Sequence, residues 1–179
     1  MGYRITLLFL AVLLCLCRQS PPIDFFKEDV TIEIFGGKVK VTGVYYIKNL
    51  TDIGKRIKFY YPFPVDSNHS FPDTISAGLP YTRDSAGIYF TLSMEPDGVD
   101  SFVIGYEQRV ERPFFRYITT TTKAWKRPIK DARFTVITPE TLSTTMSYSF
   151  PEPMVIDGYR KYSIRITDFF PEEDLLITW

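Results

Sequence analysis

Arg109, Arg112, Arg116, Lys123, Lys126 and Arg127 fall within residues 109–127 against one acid, Glu111, with Phe114, Phe115, Tyr117 and Trp125 between them. Arginine beside aromatic rings is the composition of a recognition surface, because both are enriched at interface hot spots and an exposed ring can stack on a sugar or a base. Arg109, Arg112, Arg116, Tyr117, Lys123, Trp125, Lys126 and Arg127 are therefore the candidate partner-binding residues. The plainer alternative is strand-edge cations around aromatics that belong to the core. For Trp125 burial is the expectation, which leaves the cations and the threonines at 119–122 as the contact surface.

Other residues that could do chemistry are sparse. His69 is the sole histidine, so a multi-histidine metal site is excluded. Asp66, Ser67, Ser70 and Asp73 surround it, but a Ser-His-Asp triad needs its members on separate elements, and the expectation is a solvated loop histidine. Paired carboxylates could hydrolyse a glycan if two of them stood ~5–9 Å apart across a cleft. Glu107 with Glu111, and Glu172, Glu173 and Asp174, are the candidates, with an ordinary charged surface as the alternative. Asp97 with Asp100, or Asp66 with Asn68, lacks the spacing of a calcium loop. No glycine-rich phosphate loop and no nucleophile elbow is present. No cofactor and no catalytic residue is expected.

These residues sit on a chain that reads as strands. Its 179 residues are 45% hydrophobic and 23% charged, with 15 Phe and 12 Tyr, a globular composition leaning toward β structure. Val30, Ile32 and Ile34 alternate with Thr31 and Glu33; after Gly36-Gly37, Val39, Val41, Tyr45 and Ile47 alternate with polar neighbours. That is a half-buried hairpin. Ile57, Phe59, Tyr61 and Phe63 extend it to an expected three-stranded antiparallel meander over residues 30–64. A second hairpin is expected across Glu95-Pro96-Asp97-Gly98, between 88–94 and 102–108. Strands follow at 132–138, 144–150, 162–167 and 175–179, the third after the turn Asp157-Gly158. The expected fold is an all-β antiparallel sandwich of about nine to eleven short strands.

Residues 1–17 are of another kind. A thirteen-residue run at 5–17, apolar but for Thr6, follows Arg4, and Arg18-Gln19-Ser20-Pro21-Pro22 breaks it. Thirteen helical residues reach only ~20 Å, short of the ~30 Å hydrocarbon core, so a cleaved signal peptide fits better than a span. The alternative is a lipoprotein signal with acylation of Cys17. The expected organisation is a leader at 1–17, a linker at 18–29 and one sandwich domain at 30–179. Cys15 and Cys17 are both in the leader, which excludes disulfides, thiol nucleophiles and thiolate metal sites from the rest. Lysine plus arginine equals aspartate plus glutamate, 21 each, which argues against nucleic acid as a partner. Membrane contact is expected only through the N-terminal segment.

The strand at 39–49 ending in Asn49, the short turn and the next strand running into Tyr61-Pro62-Phe63-Pro64 resemble two groups of proteins. One is the domain that opens inter-alpha-trypsin inhibitor heavy chains and vault-associated proteins, from whose Phe-Pro-Leu-Pro-like order Phe63 departs. The other is a set of uncharacterised exported bacterial all-β proteins, to which the likeness extends through Tyr106-Glu107-Gln108, residues 117–125 and residues 134–139. The resemblance implies an all-β protein of the bacterial envelope and carries no catalytic residues. The expected function is that of an exported, non-enzymatic binding or structural module, periplasmic or at the cell surface, meeting an envelope protein or glycan. The enzyme alternative is a carboxylate-based glycan hydrolase.

Overall fold

The computed structural model describes residues 22–179. The expected leader at 1–17, with Cys17, lies outside the described residues. Thirteen strands are described: β1 (Ile23–Phe35), β2 (Lys38–Asn49), β3 (Lys55–Pro62), β4 (Thr74–Ala77), β5 (Tyr81–Arg83), β6 (Gly87–Met94), β7 (Val99–Arg109), β8 (Phe114–Tyr117), β9 (Ile129–Pro139), β10 (Thr145–Met146), β11 (Met154–Ile156), β12 (Tyr159–Phe169) and β13 (Leu175–Thr178), with a 3-10 turn Thr120–Trp125 between β8 and β9. The chain is all-β and sandwich-like. One layer is a seven-stranded sheet in the order β11-β12-β9-β1-β2-β7-β4, and two three-stranded sheets, β3-β6-β5 and β10-β13-β8, lie against its inner face.

The alternation at β1 and β2 does what period-2 patterning dictates. Val30, Ile32, Ile34, Val39, Val41 and Ile47 are fully buried, while the intervening residues face solvent or the sheet's outer side. Gly36 takes φ +64°, the left-handed backbone that a two-residue hairpin loop requires. On the outer side, Lys40 reaches Glu33 at 3.1 Å, Arg133 reaches Asp29 at 3.6 Å and Arg165 reaches Asp131 at 2.7 Å. These exposed cross-strand pairs fix register more than they add stability.

Four expectations are corrected. Residues 23–29 are no linker: Ile23, Asp24 and Phe25 are buried, and β1 starts at Ile23, because Phe25 and Ile23 carry apolar surface that pairing with β2 covers. The sandwich is not purely antiparallel, since β1 runs parallel to β9 with Val30 opposite Phe134. The meander over 30–64 does not form, because β3 pairs with β6 in the facing layer. The buried Asn49 side chain enforces that departure: its Nδ2 donates to the carbonyls of Ile53 and Glu95 at 2.8 and 2.9 Å, turning the chain out of the large sheet. Residues 88–108 likewise bridge the layers instead of folding as a hairpin, β6 joining β3 and β7 joining β2. In the turn between them it is Asp97, at φ +51°, that adopts the left-handed conformation.

A candidate aromatic cleft at Glu28

The two small sheets leave a cleft between them, and its floor is the large sheet. Phe25, Glu28, Tyr45 and Phe102 form the floor; Phe59, Tyr60 and Tyr61 of β3 stand on one side; Tyr117, Ile118, Thr122 and Trp125 stand on the other. The cavity is about 80 Å³, room for a few water-sized groups. Tyr60 and Thr121 are exposed and mark its mouth.

Glu28 reaches the floor by strand parity. Phe25 pairs with Ile47 and Lys27 with Tyr46, so Phe26 is the extra residue of a β-bulge. Beyond the bulge Glu28 has the same inward parity as Val30, Ile32 and Ile34. Its side chain is 2% exposed, and Oε1 is enclosed with no hydrogen-bond partner. Burial pushes its carboxyl up to about 8, because desolvation disfavours the charged form.

Tyr45 stands directly opposite Glu28 in the β1–β2 ladder. Its hydroxyl lies 2.8 Å from that of Tyr61 and 2.8 Å from that of Tyr117, tying the large sheet to both small ones. Three hydroxyl protons serve two contacts, so one is left to donate elsewhere. Burial holds all three phenols above their usual range. Around them five rings close a circuit. Phe25 contacts Tyr45 at 6.0 Å between centroids, Tyr45 contacts Phe102 at 5.0 Å, Phe102 contacts Phe59 at 5.6 Å, Phe59 contacts Trp125 at 5.8 Å, and Trp125 returns to Phe25 at 6.3 Å.

Trp125 is positioned by the acidic stretch 172–174. Asp174 Oδ1 accepts from the backbone N–H groups of Thr119 and Thr120 at 3.0 and 3.1 Å and from the Thr120 hydroxyl at 2.8 Å. It thereby caps the orphan donors that open a helical turn. Lys126, at φ +56°, ends the turn by bonding back to the Lys123 carbonyl. Asp174 is thus a clasp, and neither it nor its neighbours faces a second carboxylate across the cleft, whose lining holds Glu28 alone among acids. Glu107 points to the outer side of β7, and Glu111 is exposed on the loop after it.

The basic segment is divided. Arg109 pairs with Asp73 at 2.9 Å, Arg116 pairs with Asp66 at 3.0 Å, and Lys123 donates to the Glu172 carbonyl at 3.3 Å. Arg112, with Gly37, Val110 and Trp179, borders a separate shallow depression. Lys126 is exposed and Arg127 half-buried after the turn. Tyr117 is buried and bonded to Tyr45, so it offers no free surface ring, contrary to the expectation. Trp125 is half-buried: one side packs on Phe25 and Phe59, and the rest borders the cleft. The threonines at 119–122 open the 3-10 turn, with Thr119 and Thr122 buried.

His69 also departs from expectation, being fully buried. Its Nε2 accepts the backbone N–H of Arg116 at 3.2 Å, so the ring proton sits on Nδ1 and is donated to Asp66 Oδ1 at 2.8 Å. Burial works to raise the Asp66 carboxyl, but the hydrogen bonds from His69 and from the Asn68 and His69 backbone outweigh it and hold Asp66 below its usual range. Asn68 donates to the Phe114 carbonyl at 2.8 Å and accepts from Arg112 N–H at 2.8 Å. Residues 66–69 therefore fasten a loop to β8. The side-chain amides of Asn49 and Asn68 are committed to such internal bonds.

Sequence reasoning missed Glu28. The signal was available: the alternation of Val30, Ile32 and Ile34, continued two residues back, places an acid on the core face.

No family model and no curated protein matches the chain. Solved structures do match in fold. A protein of Legionella pneumophila proposed to be a nutrient binding protein aligns with TM-score 0.61 at 15% identity over 89% of this chain and 68% of its own. An M1 zinc metallopeptidase of Deinococcus radiodurans aligns with TM-score 0.51 at 11% identity over 88% of this chain and 42% of its own. A proposed protease of Parabacteroides distasonis gives TM-score 0.51 at 11% identity over 90% and 41%. This chain thus spans about two-fifths of the peptidase chains. Among the described residues, no group of three or more His, Cys, Asp or Glu is placed to hold a metal ion.

Proposed function

We propose that this protein is a non-enzymatic binding module of the cell envelope that takes a small group into the aromatic cleft at Glu28. The observation that carries the reading is Glu28 Oε1, a buried polar atom without a partner at the bottom of a cleft lined by rings. An unmet buried acceptor costs about 1–3 kcal/mol, and apolar clefts with a few convergent polar groups are the usual form of a ligand site. One structural neighbour is proposed to bind nutrients. A glycan hydrolase would need a second carboxyl facing the first, and the cleft lining supplies none. Export and envelope placement rest on the apolar run at 5–17 and on the resemblance to exported bacterial proteins; there the module would meet its ligand, free or carried by a glycan or protein.

The test uses Trp125 as the reporter. The chain has two tryptophans, so Trp179→Phe leaves Trp125 as the single emitter. In that background, small molecules that raise the melting temperature should quench or shift Trp125 emission, and Thr121→Phe, which fills the mouth, should abolish the response. Stabilising compounds that leave Trp125 silent, or that act equally on Thr121→Phe, would move the binding site elsewhere.

A further inference from the structure

We propose that the group taken into the cleft is an alkylammonium cation, held by the five-ring aromatic circuit and by Glu28 as its counter-charge; this rests on the cleft being the ligand site.

The geometry has two parts. Phe25, Tyr45, Phe102, Phe59 and Trp125 touch in a closed order, and all five border the same cavity. Ring faces carry negative quadrupole potential, and a desolvated cation enclosed by several of them is attracted to each. The second part is Glu28, which is unpartnered and buried on the floor. Among the described residues, no lysine or arginine borders the cavity. Glu28, the one acid among the described residues that line the cavity, therefore has no internal cation there, and an arriving ligand must supply it. A neutral apolar ligand would leave Oε1 unmet, and an anion would meet both ring faces and a carboxyl. The cavity of about 80 Å³ fits a compact head group whose tail leaves past Tyr60.

Glu28 carries a proton that the cation must displace. With its carboxyl raised to about 8, Glu28 is neutral at pH 7. The titratable groups around it are the phenols that line the cavity, Tyr45 on β2, Tyr60 and Tyr61 on β3, Tyr106 on β7 and Tyr117 on β8, with Tyr148 after β10 close enough to feel its charge. Burial raises all of these phenols, Tyr148 to about 12, so they stay neutral between pH 6 and 9. Ala132 on β9 contributes no charge. Glu28 is then the one group that titrates, and binding of a cation at pH 7 should release its proton.

Calorimetric titration of the full domain compares choline with its uncharged carbon isostere, 3,3-dimethylbutan-1-ol. At pH 8.5 choline should bind at least tenfold more tightly. Its affinity should fall as pH drops below about 8, by up to tenfold per pH unit, and at pH 7 its binding heat should differ between phosphate and Tris. Glu28→Gln should reduce the preference to what the ring faces alone supply and erase the pH dependence and the buffer dependence, while still binding the alcohol. Co-sedimentation with phosphatidylcholine vesicles, competed by free choline, would assign the head group to a lipid; binding of choline with no sedimentation would assign it to a free solute. Equal affinity for choline and the alcohol would overturn the cation proposal and leave the cleft as a ligand site. Failure of both, with Trp125 silent, would overturn cleft and cation together.

Discussion

The ring of Tyr45 folds back over Gly43, two residues earlier on the same face of β2, so closely that a Cβ at position 43 would lie within the Tyr45 Oη and Cζ atoms. This overlap explains a glycine in the middle of a central strand, where it is otherwise unfavourable. It also holds the Tyr45 hydroxyl between those of Tyr61 and Tyr117. Gly43→Ala should cost about 1–3 kcal/mol by overpacking. Urea unfolding of Gly43→Ala, Tyr45→Val and the double variant should show a coupling of at least ~1 kcal/mol, since valine vacates the space the new methyl needs. Additive losses would mean that the ring is free to move aside.

Glu28 makes stability depend on pH in an unusual direction. Its carboxyl is raised from 4.5 to about 8, so the folded state binds more protons than the unfolded state between those values. Stability should therefore be highest near and below pH 4.5 as far as this group is concerned, and fall as pH rises to about 8, by up to about 1.4 kcal/mol for each pH unit in that window. Glu28→Gln, neutral throughout, should flatten that slope and be the more stable form at pH 8.5 by a few kcal/mol. Parallel slopes for the two proteins would place the Glu28 carboxyl in contact with water.

Phe59 stacks on Phe90 at 5.4 Å and contacts Phe102 and Trp125. Phe59→Ala should cost about 3–5 kcal/mol, as for a buried aromatic. Trp125→Ala, at a half-buried ring, should cost less, about 2 kcal/mol. Chemical denaturation of both variants checks the order; a larger loss at Trp125 would make that ring part of the core and remove it from the cleft wall.

His69→Ala would strip Asp66 of its imidazole donor and the Arg116 N–H of its acceptor in one change. A loss of about 3 kcal/mol is expected, from the space left by a fully buried ring and from the Arg116 N–H left unmet. Measured stability within ~1 kcal/mol of the parent would return His69 to the surface.

For the N-terminal segment, the chain begun at Arg18 should stay in the soluble fraction after lysis, while the chain with residues 1–17 should be found in, or processed by, the envelope. Retention of the shorter form by membranes after a high-salt wash would contradict the leader reading.

Local rules carried far in this sequence. Alternation located β1, β2, β3, β9 and β12, and the dipeptides Gly36-Gly37 and Asp157-Gly158 marked true hairpins, with Gly158 at φ +78°. What was not legible depends on partners remote in sequence. Asn49 looked like an ordinary turn residue because its second acceptor, the Glu95 carbonyl, lies 46 residues away. His69 looked solvated because Arg116 is 47 residues away. The basic segment looked like one surface because neighbours along the chain were read as neighbours in space, whereas β8 buries Tyr117, Arg109 and Arg116 pair with separate acids, and Lys123 turns to a backbone carbonyl. Glu28 was passed over since an acid is a poor guess for a core position, even where parity requires it.

The parallel pairing of β1 with β9 sets an order of events for a growing chain. Residues 129–139 must be synthesised before β1 gains its second neighbour, which closes a loop of about a hundred residues, an entropic cost that grows slowly with length but delays the search. Until then Val30, Ile32 and Ile34 stand on a strand with one open edge, faced by the β3-β6-β5 sheet alone, since β10-β13-β8 cannot close before residue 175. A nascent chain stalled before Ile129 should accordingly be a client for holding chaperones, and one extended past Phe169, where β12 closes over β9, should be released.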